Sequence, residues 1–138
     1  MSGPLFDKTT AALNSAIQFR QLRQDVISTN IANAETPGFK AKKMDFEEAL
    51  ARAVDIDGKS KMMVDHNDHY MVGSGSVSRV TPDVYDNPEG QTNNDGNNVD
   101  LEREMAQLGE NSIIYKTAIQ LINKKLAALR YAATEGNR

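Results

Sequence analysis

At 138 residues the chain has the length of one domain, and 39% apolar residues with only 6% aromatic and no Trp leave aliphatic and Met side chains to build its core, which favours helices over sheets. A net charge of -3 leaves no basic field of the kind that nucleic acid or an anionic membrane surface would select, so no nucleic-acid partner is expected. The absence of Cys excludes disulfides and thiolate-held metals without fixing a compartment.

The opening "MSGPLFDKTT" lacks the basic and apolar regions of a cleaved signal peptide, and no apolar run approaches a membrane span. Any export is therefore expected to use a route that reads no ordinary signal. From about Thr9 to Ala32, Ala12, Ala16, Phe19 and Val26 recur on one side of a 3.6-residue period, with Leu13, Ile17, Ile27 and Ile31 widening that face. Asn14, Gln18, Gln21, Asp25 and Ser28 fall opposite. The pattern predicts an amphipathic helix about 36 Å long. It runs into "TNIANAETPGFKA", where Asn30 and Asn33 lie one turn apart beside Ile31. These amides are suited to the orphan carbonyls of a helix end, Pro37 stops the helix, and Gly38 can take backbone angles closed to other residues. Thr36 and Phe39 complete the turn.

Residues 35–98 change character. "MDFEEALARAV" places Phe46, Leu50 and Val54 at helical spacing and predicts a short helix. After it, "KMMV", "HYMV" and "VSRV" are β-prone fragments broken by Gly, Asp, Asn and Pro, and they predict a small irregular or β excursion. "DNPEGQTNNDGNN" is almost free of apolar residues and reads as a solvated or partly disordered loop.

The last segment carries the strongest periodicity. Leu101, Met105, Leu108, Ser112, Tyr115, Ile119, Ile122, Leu126, Leu129 and Ala133 alternate four- and three-residue steps, the seven-residue repeat of a coiled-coil seam. Acidic residues crowd its start and Lys116, Lys124, Lys125 and Arg130 its end, which complements the helix dipole. From Val99 to Ala133 the helix would be about 52 Å long and needs a partner along its length. The expected fold is mainly α. Residues 1–34 and 99–138 supply terminal helices that pair as a coiled-coil domain, and residues 35–98 form the excursion between them. Self-assembly over the remaining apolar flanks and a monomeric bundle covered by the central segment both fit this pattern.

Candidate metal sites are incomplete. "DHNDH" brings His66 and His69 together without a third ligand at a recognised spacing. "QTNNDGNNVDLE" imitates a calcium loop at Asn93, Asp95, Gly96 and Glu102, but begins with Gln91 and has Asn98 where an aliphatic residue normally packs. A loop running into a helix, with Asn97 or Asn98 as cap, is the expected account. No nucleophilic Cys, Gly-rich phosphate loop, or Ser or Lys in a recognised catalytic setting is present, so no catalytic residues, cofactor, metal or small-molecule substrate is expected.

Two separated stretches carry a resemblance. "TNIANAETPGFKAKKMDF" resembles the N-terminal signature of the rod and hook proteins of the bacterial flagellum, and "DGNNVDLEREM" with the heptads after it is similar to the other end of that architecture. The short length is similar to the proximal-rod members, and Phe39 stands where Tyr is also common. The resemblance implies a non-enzymatic structural subunit, built helically with copies of itself and other rod proteins into the torque-transmitting shaft of the basal body. It implies further contacts with the MS ring, the export gate and its adaptor at the rod base. It also implies export by the flagellar type III route to the periplasmic side of the inner membrane, without a cleaved signal peptide. The residues expected to carry subunit contact are Asn30, Ile31, Asn33, Thr36, Pro37, Gly38 and Phe39 of the turn and Leu101, Met105, Leu108, Tyr115, Ile119, Ile122, Leu126 and Leu129 of the seam. A small soluble helical adaptor or chaperone-like module is the alternative from a different class.

Overall fold

The computed structural model describes residues 8–54 and 80–135. The "KMMV" and "HYMV" fragments and "DHNDH" lie outside them. Chain order is α1 Lys8–Ala32, β1 Lys42–Asp45, α2 Glu47–Val54, β2 Asp83–Asp86 and α3 Leu101–Glu135. The fold is mainly α, with a two-stranded sheet between the long helices.

Helices α1 and α3 form the principal interface. Arg20 meets Asn111 and Asn30 meets Glu104, so residue number falls along α3 as it rises along α1, and the pair is antiparallel. Phe19 and Ile27 of α1 are buried, while Asn14, Gln18, Gln21, Asp25 and Ser28 are exposed, as the period of the sequence requires. The same face also buries polar groups. Asn111 donates from Nδ2 to the Arg20 carbonyl at 2.8 Å and accepts from Arg20 Nη1 at 3.4 Å.

The seam on α3 is turned relative to the heptad. Leu108, Tyr115, Ile122 and Leu129 are half-buried, but the buried row beside them is Glu104, Asn111 and Ala118, each one residue before Met105, Ser112 and Ile119. Polar pairing explains the rotation. Glu104 and Asn111 must face their partners on α1 or lose hydrogen bonds in a dry interface, and the small Ala118 lets the helices approach. Met105 is left 60% exposed, and Leu101 and Leu126 are also exposed.

Strands β1 and β2 pair antiparallel in the register Lys42 to Asp86, Lys43 to Tyr85, Met44 to Val84 and Asp45 to Asp83. Met44 and Phe46 turn under the hairpin and join Phe19, with Val26, Leu50 and Val80 packed around them. The Phe19 and Phe46 rings lie 5.3 Å apart and tilted. The guanidiniums of Arg23 and Arg20 sit over Phe46 at 4.6 and 5.1 Å. Arg23 also donates to the Met44 carbonyl at 2.6 and 3.1 Å and grips Glu47 with two nitrogens at 2.5 and 2.7 Å, which anchors α2 to α1. Burial alone would raise the Glu47 carboxyl, but the hydrogen bond and charge of Arg23, with backbone donors, bring it below its ordinary value. In α2, Leu50 and Ala53 face inward and Glu47 and Glu48 occupy the first turn, where the dipole favours them.

Candidate functional site

The two sequence motifs, joined by contacts between residues 56 to 64 apart along the chain, meet at the end of α1 and interlock there. Asn33 behaves as a helix-end amide. Its Nδ2 donates to the Thr29 carbonyl at 2.8 Å, its Oδ1 accepts from Thr36 Oγ1 at 3.1 Å, and its carbonyl accepts from the Thr36 N–H at 3.0 Å. Asn30 does something different from the expected cap. Almost fully buried, it accepts from the Lys42 N–H at 2.9 Å and donates to the Lys42 carbonyl at 2.8 Å. One side chain thus closes the edge of β1 that β2 leaves open, in the place of a third strand. Its Nδ2 also donates to Glu104 Oε2 at 3.1 Å, which ties the start of α3 to the same point. Burial raises the Glu104 carboxyl above its ordinary value, and the hydrogen bond from Asn30 only partly opposes this.

Beyond Pro37, Gly38 has φ of 73° and its N–H donates to the Asp95 carbonyl at 2.9 Å. Gly96, with φ of 83°, lies against it so closely that an added Cβ would stand 3.4 Å from the Gly38 Cα. The loop expected to be solvated or partly disordered is therefore ordered at its end. Asn97 is completely buried, donating to the carbonyls of Asn33 and Thr36 at 2.9 and 2.8 Å and accepting from the Val99 N–H at 2.7 Å. Asn98 is also buried and accepts from the Ala41 N–H at 2.6 Å, while its own N–H donates to the Phe39 carbonyl at 3.3 Å. Lys40 Nζ donates to the Gly96 carbonyl at 2.9 Å. Neither Asn97 nor Asn98 caps α3. Asp100 does so, accepting from the Arg103 N–H at 3.2 Å. Within the calcium-like pattern, Asp95 accepts from the Asn97 N–H at 3.1 Å, and Asn93 joins through its backbone, its N–H donating to the Asn97 carbonyl at 2.7 Å.

Ile31 and Phe39 are half-buried here, and Thr36 and Pro37 are exposed. The expected contact residues of the seam lie elsewhere along α3, with Leu108, Tyr115, Ile119, Ile122 and Leu129 half-buried and Leu101, Met105 and Leu126 outward. Sequence reasoning missed Glu104, Asn97 and Asn98 as buried anchors. The available signal was the density of carboxamides and glycines, which in a segment without apolar side chains can satisfy backbone groups at a close crossing. The arrangement offers no acid, base and nucleophile at reacting distance. It fastens the end of α1, the hairpin and the start of α3 into one rigid joint.

Residues 12–40 match the family model described as flagella basal body rod protein. The chain is 34% identical to the flagellar basal body rod protein FlgB of Aeromonas hydrophila over 124 residues, 90% of this chain and 91% of the relative. It is 33% identical to that of Bacillus subtilis (strain 168), over 96% of this chain and 98% of the relative. Identity to that of Escherichia coli (strain K12) is 28%, over 96% of this chain and all of the relative.

Proposed function

The chain belongs to the FlgB family of flagellar basal body rod proteins, and from that premise we propose that it builds the proximal part of the rod, assembling helically with copies of itself and other axial proteins to pass motor torque outward. It is a structural subunit of the basal body rod and not an enzyme. The observation that carries the reading is the surface of α3. Met105, Ile113, Leu121 and Tyr131 are 60, 68, 50 and 64% exposed, and their positions spread across the side of the helix turned away from Glu104, Asn111 and Ala118. Large apolar side chains standing in water on the outward side of a helix belong against a neighbour, because water on that surface is costly.

In this reading residues 1–34 and 99–138 supply the assembling helices and residues 35–98 the excursion. The interlocked joint at Asn30, Asn33, Gly38 and Asn97 sets the angle at which the helices are presented. Leu101, Met105 and Leu126 look outward for a neighbour, while Leu108, Tyr115, Ile122 and Leu129 carry the pair itself. The MS ring and export gate, with its adaptor, are the partners below and other rod proteins the partners above. The chain reaches the periplasmic side of the inner membrane by type III export. Relatives that are rod proteins do not favour the soluble adaptor. Electron cryomicroscopy of purified basal bodies is the test. Density for this chain at the base of the rod is the expected result, and its absence from intact rods would overturn the proposal.

A further inference from the structure

A groove of about 250 Å³ opens between α1 and the β1–β2 hairpin, floored by Leu22, Val26, Met44, Pro82 and Val84. No α3 residue lines it, so it lies on a different side of α1 from the helix pair. Leu22 and Val84 are 46 and 47% exposed, an apolar edge that gains free energy when covered. Asp25 and Lys42 stand at its rim; Lys42 is already paired with Asp86 at 3.2 Å, whereas Asp25 makes no ion pair among the described residues. On α3, Ile113, Thr117 and Leu121 follow one another at four-residue spacing, and all three are exposed. Lys124, exposed and likewise without an ion pair among the described residues, comes one turn after Leu121.

We propose that this groove receives the Ile113, Thr117 and Leu121 ridge of a second copy of the chain, with Lys124 of that copy beside Asp25. The inference rests on the rod-subunit reading and names one of its self-contacts. The two surfaces match in three ways. The groove is concave and apolar where the ridge is convex and apolar. Its volume has room for branched aliphatic side chains such as those of Ile113 and Leu121. The acid at its rim meets a base on the ridge, which orients the contact even where an exposed pair adds little energy. Groove and ridge are different surfaces of one molecule. The contact is therefore head-to-tail, and it propagates from copy to copy in place of closing as a symmetric dimer.

The chain has no Cys, so introduced thiols report without background. Basal bodies are purified from cells whose only source of the chain is the double variant Val84→Cys/Leu121→Cys, oxidised, and immunoblotted for the chain. The expected result is a ladder of dimers and larger multimers, while each single variant stays monomeric. Monomer alone in basal bodies that contain the double variant overturns the proposal, as do dimers formed equally by the single variants. If the double variant fails to enter basal bodies, benzoylphenylalanine at position 84 decides, since crosslinking to this chain supports the contact and capture of a different rod protein, or of nothing, overturns it. Absence of the unsubstituted chain from purified basal bodies is a separate outcome, which counts against the rod reading itself.

Discussion

Asn97→Ala should be strongly damaging to the joint between the two motifs. The side chain is fully buried and makes three hydrogen bonds, to the carbonyls of Asn33 and Thr36 and from the Val99 N–H. Both carbonyls keep a second donor, from the N–H groups of Thr36 and Phe39 respectively, so neither is orphaned. The Val99 N–H does lose its acceptor, so the loss is at least three net hydrogen bonds at about 1 kcal/mol each, or about 3 kcal/mol or more together. That is a large fraction of the 5–15 kcal/mol roughly available to a domain of ordinary stability. Asn97→Asp separates hydrogen bonding from packing. It is almost the same size and keeps the acceptor for Val99, but sets a carboxylate against two carbonyls, and should cost at least as much. Asn94→Ala, at an exposed position of the same loop, should change stability by less than about 0.5 kcal/mol. Urea unfolding of the purified chain, followed by circular dichroism, gives all three values. If Asn97→Ala unfolded at the same urea concentration as Asn94→Ala, the joint would not be a source of stability and the reasoning would fail.

Ile122→Asp places a charge at a half-buried seam position, forfeiting about 2 kcal/mol of burial and adding a desolvation cost; the chain should still be made and exported but be missing from basal bodies, leaving cells non-motile, whereas exposed Gln120→Asp should swim. Normal swimming by the Ile122→Asp strain would remove the seam from the account. Burial raises the Glu104 carboxyl in the folded chain above its unfolded value, so the fold is best supported at pH below the unfolded value and loses that support as pH rises through the folded one. Glu104→Gln should therefore melt higher than the native chain at neutral pH and show a flatter melting profile between mildly acidic and neutral pH. Gly38→Ala should cost about 1–2 kcal/mol for its left-handed backbone alone, since nothing lies within 4 Å of the added Cβ. Gly96→Ala should cost about the same in the same urea measurement, because its backbone is equally left-handed at φ of 83° and its added Cβ would only reach ordinary van der Waals contact with Gly38 at 3.4 Å.

Local pattern was enough for the helices. Phe19 and Ile27 recur at the helical period and are buried where that period puts them, and beyond α1 Pro37 offers no N–H to continue a helix while Gly38 takes the left-handed φ of 73° that the turn requires. The short strands "KKMD" and "DVYD" escaped reading because four residues of mixed polarity carry no alternation, while Asn30 and Arg23 from α1 close the far edge of β1. The rotation of α3 was equally hidden. Seven-residue spacing marks Leu108, Tyr115, Ile122 and Leu129 on either reading, but whether Met105 or Glu104 faces α1 depends on a polar partner 74 residues away. The buried amides Asn97 and Asn98 look like solvated loop residues in sequence, since a carboxamide that hydrogen-bonds water and one that hydrogen-bonds a crossing backbone have the same composition. Periodicity is a property of neighbours along the chain and could be read from it. The joint that unites the motifs is a property of neighbours in space, where each buried polar group had to find its partner, and only the tertiary structure decided which it found.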